Sequence, residues 1–209
     1  LVPERLWREL ERALGEPHPE ACFDILQHCG ALPVLMPELA WREHERRALL
    51  AAVNLSAEPP VRFAALLADI DPQVLAPLCD RLRVPSDYRE LALLTARLSA
   101  SLARAWYLQP DHLLRLLETA DAFRRPDRFG RLLLAAQADE QARAQQTAPT
   151  PDQGHAQAQA PWPMLQAALT AANSVVLAAW QVVDKKGPEI GAVLRAARLA
   201  RLEALLRGH

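Results

Sequence analysis

The sequence predicts an all-α fold, an elongated array of helical hairpins with no sheet. Leu, Ala, Arg and Glu dominate, Gly is scarce and β-branched residues are few, a composition that favours helix over strand. Apolar residues recur with a helical period of about 3.6 residues, and no alternating apolar and polar run is bounded by hairpin turns. Prolines, which the first turn of a helix tolerates, precede six of the periodic runs. They are Pro3, Pro72, Pro85, Pro110, Pro126 and Pro188.

The predicted helices follow one another in the order that these prolines set. The first runs from about Pro3 to Leu14, where Leu6, Trp7 and Leu10 fall on one face, and Gly15 ends it. The others are predicted near 19–28, 31–39 (a short turn), 41–54, 60–69, 72–83, 86–106, 110–122, 126–145, 162–183 and 188–207. The Gln-, Ala- and Pro-rich segment QQTAPTPDQGHAQAQAP has little to bury, and we predict a flexible linker there.

Charge is almost balanced along the chain, with a formal net charge of -1. Residues 1–60 carry a net charge of -4, residues 61–140 a net charge of 0 and residues 141–209 a net charge of +3. Any contact with nucleic acid therefore has to be a local patch. No apolar stretch is long enough to span a bilayer and no signal peptide is visible, so we expect a cytoplasmic protein with no membrane role.

Residues that commonly carry catalysis are sparse. There is no phosphate-binding loop, dinucleotide fingerprint, nucleophile elbow or HExxH motif. Asp69 and Asp71 could together hold Mg²⁺, but we favour the interpretation that Asp69 ends one helix and Asp71 caps the next. Cys22, Cys29 and Cys79 lack metal-type spacing and are expected to be buried, reduced thiols.

Basic residues cluster in two places. Four arginines fall within eight residues of the sequence FRRPDRFGR: Arg124, Arg125, Arg128 and Arg131. They could grip phosphates, although composition alone favours a solvated helix start, because Asp121 and Asp127 cancel part of the charge. Lys185 and Lys186 precede the last helix, along which arginines recur every three residues, either as a basic stripe or as an ordinary solvated face.

Several segments stand in a recognisable order. Arg5 and Glu9 form an Arg-x-x-x-Glu pattern on the first helix, followed by CGAL and LPEL. The segments HLLRLLETADAFRRPDR, QADEQAR and KKGPEIGAVLRAARLARLEALL come later. In this order they resemble the neck, body and tail of bacterial class II CCA-adding tRNA nucleotidyltransferases and their poly(A) polymerase relatives. The resemblance implies four regions: a neck-like region (1–39), a body (40–144), a linker (145–161) and tail helices (162–209).

The resemblance also implies a function. An enzyme of this family adds C, C and A to the 3′ end of tRNA from CTP and ATP. We expect its catalytic head, which holds Mg²⁺ and the nucleotides, to lie outside these residues, so this chain alone is expected to be inactive and to hold no cofactor. The chain would hold the acceptor and T arms of tRNA. The expected RNA-binding residues are Arg124, Arg125, Arg128, Arg131, Lys185 and Lys186, and Arg5 and Glu9 would be a structural neck motif.

VRFAALLAD, residues 61–69, looks like the segment where many members of the family carry a His-Asp metal motif. Ala68 stands in the place of the metal-binding His, whereas Asp69 remains, and His44 falls where an earlier His would lie. One His and one Asp do not supply the ligands that a metal hydrolase needs. We therefore predict a degenerate HD domain with no metal and no phosphohydrolase activity.

Three alternatives remain from the sequence. The first is the RNA-binding part of a bacterial poly(A) polymerase, although such tails tend to be strongly basic and this one reaches only +3. The second is a helical protein-interaction scaffold that binds no RNA. The third is a relic His-Asp hydrolase, against which the missing ligands argue. The sequence does not predict an oligomeric state.

Overall fold

The computed structural model describes residues 2–146, 160–179, 183 and 185–207. Over these ranges the protein is helical and contains no strand, which confirms the all-α prediction. None of the described helices has the length and apolar character of a membrane-spanning segment. The helices are α1 (Pro3–Gly15), α2 (Glu20–His28), α3 (Leu32–Leu35), α4 (Glu43–Leu55), α5 (Pro59–Leu66), α6 (Pro72–Arg81), α7 (Ser86–Ala103), a 3₁₀ turn (Ala105–Tyr107), α8 (Pro110–Thr119), α9 (Pro126–Gln146), α10 (Trp162–Asn173) and α11 (Gly187–Arg207).

Contacts divide the chain into two compact units. The first unit comprises residues 1–103 and 130–159, and the second comprises residues 104–129 and 160–209. The first four residues of α9 therefore belong to the second unit, and the rest of that helix belongs to the first.

The four regions predicted from the sequence are those of the family that it resembles, and they are not defined by contacts within the chain. That division therefore stays a prediction. Its four segments were 1–39, 40–144, 145–161 and 162–209. Most of the predicted linker, residues 147–159, lies outside the described part of the chain.

Prolines begin four of the longer helices, as the sequence predicts: Pro3, Pro72, Pro110 and Pro126 are the first residues of α1, α6, α8 and α9. Proline lacks an N–H group, and the first turn of a helix has no partner for that group in any case. Asp71 caps α6, because its carboxylate accepts a hydrogen bond from the backbone N–H of Gln73 at 2.7 Å. The interpretation of Asp71 as a cap is confirmed.

Several predicted helices end earlier than the periodicity indicated, and the reason is visible for two of them. The helix predicted near 162–183 ends at Asn173, where the Ser174 hydroxyl donates to the Ala171 carbonyl at 2.8 Å and residues 175–178 are not helical. The helix predicted near 86–106 ends at Ala103, because the backbone of Arg104 leaves the helical region and a 3₁₀ turn follows. The backbone conformation of Arg104 and the hydroxyl of Ser174 set these two ends, and an apolar pattern reveals neither.

Three aromatic rings join α1, α5 and α7 in the core of the first unit. Trp7 lies with its ring centroid 5.1 Å from that of Phe63 and 4.9 Å from that of Tyr88, both in edge-to-face geometry. Each such pair contributes about 1 kcal/mol beyond the area that it buries. The Tyr88 hydroxyl donates to the Glu11 carboxylate at 2.8 Å, so the phenol also fixes the outer side of α1.

A buried arginine closes the C-terminal end of α1. Nη1 of Arg62 donates to the carbonyls of Leu14 and Glu16 at 2.7 and 2.8 Å, and its Nε donates to the Ser56 carbonyl at 3.0 Å. These carbonyls would otherwise lack partners, since the last turn of a helix leaves its C=O groups unsatisfied. Burial lowers the pKa of Arg62, yet a guanidinium with so high an ordinary value remains charged.

In the second unit, α11 packs against both α8 and α10. The apolar faces of these helices are Leu-rich, and Leu113, Leu117, Leu165 and Leu202 are fully buried. Burial of one such side chain is worth about 2 kcal/mol, so the unit has a core of its own.

The three cysteines differ in exposure. Cys79 is buried, Cys22 is partly buried and Cys29 is exposed, so the prediction of buried thiols is right for Cys79 and wrong for Cys29. Cys29 lies at the C-terminal cap of α2, beyond the turns that bury Phe23, and its thiol donates to the Leu26 carbonyl at 3.5 Å. Burial raises the pKa of Cys79 to about 11.

We expect iodoacetamide to modify Cys29 in the native protein at about pH 8, while Cys79 reacts only after unfolding, because alkylation requires an accessible thiolate. Peptide mass mapping before and after addition of guanidinium chloride measures both sites. Modification of native Cys79 at the rate of Cys29 would contradict the burial described here.

Candidate functional site

A buried histidine lies between two carboxylates in the first unit. Nε2 of His44 is 3.0 Å from an oxygen of Asp139 and 3.3 Å from an oxygen of Asp69. The side chain of Asp139 is only 3% exposed, whereas that of Asp69 is 43% exposed. The three residues come from α4, from the turn after α5 and from α9, so folding brings together groups that are distant in sequence. We call them, with Arg143, the His44 centre.

Local structure positions each member of this centre. His44 is the second residue of α4, whose start is fixed by a hydrogen bond at 2.9 Å from the Arg42 backbone N–H to the Glu45 carboxylate. Asp69 lies in the turn after α5, which is closed by a hydrogen bond from the Ile70 N–H to the Leu67 carbonyl. Asp139 lies on a face of α9 rich in buried alanines, which are Ala135, Ala136, Ala138 and Ala142. Small side chains on that face allow neighbouring groups to approach closely.

Arg143 follows Asp139 by one helical turn and bridges the two carboxylates. Its guanidinium donates to Asp69, and its Nε lies 3.3 Å from the second oxygen of Asp139. Burial alone would lower the pKa of Arg143, but the hydrogen bond and the charge of Asp69 and Asp139 raise it above its ordinary value. The centre therefore contains its own permanent cation.

Three residues of the His44 centre could each offer a ligand atom to a metal ion, but the residues around them do not favour an ion. His44 Nε2 and one oxygen from each of Asp69 and Asp139 lie within 4.8 Å of one another, close enough for three ligands to share an ion. However, the residue before Asp69 is Ala68, which has no ligand atom, and both carboxylates are already bonded to the Arg143 guanidinium. We conclude that these residues do not fit a divalent metal ion.

Half of this centre was identified from the sequence. His44 and Asp69 were named as remnants of a metal motif, and the structure brings them together. Asp139 and Arg143 were missed as members of a site. One signal was available for Asp139, which lies three residues before the buried Ala142 and thus places an acidic group on the apolar face of α9.

The arginines of the FRRPDRFGR segment have acidic partners. Arg124 and Arg128 both pair with Asp121, at 2.8 and 3.4 Å. The hydrogen bond from Arg124 is the main cause that lowers the pKa of Asp121. The Arg124 side chain is 80% exposed, whereas that of Arg128 is 20% exposed and donates to the Ala120 carbonyl at 3.3 Å. The Arg124 guanidinium therefore lies on the surface, whereas the Arg128 guanidinium holds the backbone before α9 through the Ala120 carbonyl.

The remaining predicted cations are separated by the division into units. Arg125 is exposed and lies in the second unit beside Arg124, whereas Arg131 lies in the first unit and pairs with Glu58 at 2.7 Å. Lys185 and Lys186 are exposed just ahead of α11. The structure does not bring the six predicted residues together within one unit.

Two arginines of the last helix contact other residues of the second unit. Arg195 pairs with Asp111 at 2.9 Å and with Glu118 at 3.2 Å, both on α8. The guanidinium carbon of Arg198 lies 3.8 Å from the centroid of the Phe123 ring, a cation–π contact. The sequence left open a basic stripe or an ordinary solvated face, and neither interpretation anticipated these contacts of Arg195 and Arg198.

The neck motif lies on the outer face of α1. Arg5 and Glu9 are exposed and one helical turn apart, while Trp7 and Leu10 of the same helix are buried. The burial of the opposite face fixes the direction in which Arg5 and Glu9 point.

Comparisons with known proteins show what this chain is similar to. Residues 1–42 match a family described as "Probable RNA and SrmB- binding site of polymerase A". The chain is 41% identical over 174 residues to the Multifunctional CCA protein of Thioalkalivibrio sulfidiphilus, an alignment covering 66% of this chain and 42% of that protein. It is 38% identical over 133 residues to the CCA-adding enzyme of Coxiella burnetii, covering 64% of this chain and 35% of that enzyme. No solved structure matches.

One relative aligns along almost the whole chain. The Multifunctional CCA protein of Variovorax paradoxus is 33% identical over 240 residues, covering 98% of this chain and 56% of that protein. The fold and these similarities define a helical part of a nucleotidyltransferase family. The chain belongs to the family of class II CCA-adding enzymes and bacterial poly(A) polymerases, and it corresponds to the C-terminal region of that family. It spans about half the length of the curated relatives that it matches.

We expect Asp139→Asn to lower the free energy of unfolding by about 2 kcal/mol, because a neutral amide weakens the hydrogen bonds that the buried carboxylate makes with the Arg143 guanidinium and with His44. Urea unfolding followed by circular dichroism measures the change. The matched control is Asp80→Asn, since Asp80 pairs with Arg89 but is 68% exposed; its effect should stay below about 1 kcal/mol. Equal losses in the two variants would contradict the role assigned to the His44 centre.

Proposed function

We propose that this chain holds tRNA for an enzyme that adds C, C and A to the 3′ end of tRNA from CTP and ATP. The observation that carries the proposal is the similarity to the Multifunctional CCA protein of Variovorax paradoxus, which extends over 98% of the chain. In this proposal the bond-making metals and the nucleotides belong to the part of the relatives' length that this chain does not span. The 209 residues supply binding and orientation of the RNA.

The first unit supports this proposal through α1. Arg5, Arg8 and Arg12 are all exposed, and their spacing places them along one side of the helix. They lie in the segment of residues 1–42 whose family description names RNA binding. Cations one helical turn apart suit the phosphates of an RNA backbone, which are read by position and charge rather than by sequence.

The second unit supports the proposal through Arg124 and Arg125. The ion pair between Arg124 and Asp121 is exposed, and such pairs are worth little in water. A phosphate can therefore replace Asp121 as the partner of Arg124 at small cost in free energy. Lys185 and Lys186, exposed ahead of α11, add cations in the same unit.

Arg128 and Arg131 are weaker candidates for contact with RNA. Arg128 is mostly buried and bonds to the Ala120 carbonyl, so its guanidinium stabilises the turn before α9. Arg131 pairs with Glu58, and both side chains are about half exposed. A phosphate would have to displace Glu58 to bind the Arg131 guanidinium. The acceptor and T arms of tRNA form a continuous A-form helix, which a helical protein recognises by its shape and its backbone.

The alternative function is RNA binding for a poly(A) polymerase. It is favoured by one specific observation, the family description for residues 1–42, which names polymerase A. The names of the similar proteins and the modest charge of residues 141–209 support tRNA instead. The two functions differ in the nucleotide used, so assays of the complete protein with CTP and a tRNA that lacks CCA distinguish them.

We expect the chain to retain tRNA in filter-binding titrations, with an affinity that falls steeply as salt rises, because phosphate contacts release counterions. Replacing Arg124 and Arg125 by Ala should weaken binding by about tenfold and reduce the salt dependence. The matched control is Arg97→Ala, which removes one exposed positive charge from α7 in the first unit.

Two results would count against the proposal. Absence of tRNA retention by the folded wild-type chain would contradict RNA binding and favour a protein-interaction scaffold. Unchanged affinity in the folded double variant would remove Arg124 and Arg125 from the RNA-binding surface, while leaving α1 as the remaining candidate.

A further inference from the structure

The His44 centre raises a question that RNA binding does not answer, namely what balances its two carboxylates. The family resemblance implies a metal ion at this position in many members, but the residues of this chain do not fit one. We propose that the guanidinium of Arg143 is the resident cation of the centre and excludes divalent metal ions from His44, Asp69 and Asp139. The proposal is independent of the function assigned to the RNA-binding surfaces.

The first argument is the placement of the charge. The Arg143 guanidinium bonds to carboxylate oxygens of both Asp69 and Asp139, the same two groups whose oxygens lie near His44 Nε2. A divalent ion shared by these ligands would lie beside a permanent positive charge, and the two cations would repel each other while competing for the same carboxylate oxygens. An ion can therefore enter only if Arg143 leaves.

The second argument is that Arg143 is well held. It follows Asp139 by four residues on α9, an order in which an acidic residue precedes a basic one on the same helix face, and this order favours the pair. The guanidinium offers several donors in a fixed plane, which suits two carboxylates better than a single-point cation does. Half of its side chain is exposed, so it also lies on the solvent side of the centre, next to Asp69.

The third argument comes from His44 itself. Its Nδ1 is buried and has no hydrogen-bond partner among the residues that the structure describes. A histidine that binds a metal through one ring nitrogen usually donates from the other nitrogen to a carbonyl or a carboxylate, which orients the ring. Here the ring is held through Nε2 and the two carboxylates, as expected for a member of a hydrogen-bonded network rather than a metal ligand.

Equilibrium dialysis of the 209-residue chain against Ni²⁺ tests the proposal directly. We expect the wild type to have no Ni²⁺ site that includes His44. The His44→Gln variant should therefore bind as much Ni²⁺ as the wild type. In Arg143→Ala the two carboxylates and His44 lose their cation, and we expect one additional Ni²⁺ site with a Kd at least about tenfold tighter than any wild-type binding. This site should disappear when His44→Gln is combined with Arg143→Ala.

Thermal unfolding with and without Ni²⁺ provides a second readout. Arg143→Ala should melt at a lower temperature than the wild type in the absence of metal, and Ni²⁺ should raise its melting temperature because it binds only the folded state. The matched control is Arg131→Ala, which removes an arginine from an ion pair on the same helix but away from the His44 centre. The control should neither gain a site nor respond to Ni²⁺.

Should Arg143→Ala fail to fold, Arg143→Gln takes its place, because its amide keeps one hydrogen bond to a carboxylate without the charge. Arg143→Lys, which retains a positive charge, should gain no Ni²⁺ site. Binding of one ion by the wild type that is lost in His44→Gln would overturn the proposal. So would a folded Arg143→Ala or Arg143→Gln variant that gains no His44-dependent site.

Discussion

The pairing of Asp139 with Arg143 and His44 is a constraint that the arrangement of α4, α5 and α9 has to satisfy. A carboxylate that is 3% exposed in the middle of α9 must be compensated, because an unpaired buried charge is strongly destabilising. His44 links this carboxylate to the start of α4, and Arg143, one turn further along α9, extends the connection to Asp69 in the turn after α5. The apolar contacts of these elements form around that polar centre.

Other arginines of the chain also make contacts that stabilise the fold. Arg62 closes α1, Arg195 joins α11 to α8, and Arg198 lies against an aromatic ring. Many of the basic residues are thus committed to the fold and do not contribute to a positive surface. Under the proposed function, RNA binding would therefore depend on a few exposed groups, among which Arg124 and Arg125 are the strongest candidates in the second unit.

The fold was more predictable from the sequence than the site. Helix starts are local, and Pro3, Pro72 and Pro126 mark them because proline is compatible with only a few helical positions. The ends of α7 and α10 were placed too late, since backbone geometry and a serine hydroxyl end them without interrupting the apolar pattern.

The site depends on contacts between residues far apart in the chain. His44 and Asp69 could be named because a family motif suggested them. Asp139 and Arg143 follow only after three further α-helices, α6, α7 and α8, and nothing local indicates that α9 places them against α4. Likewise, the acidic partners of Arg131 and Arg195 become evident only when the helices are packed.

A double-mutant cycle between Asp139 and Arg143 tests most directly whether an internal ion pair holds this centre together. Unfolding free energies of the wild type, Asp139→Asn, Arg143→Gln and the double variant give the coupling between the two side chains. We predict a coupling energy of at least about 1.5 kcal/mol. Effects that add to within about 0.5 kcal/mol would show that the two residues act independently and would contradict the account.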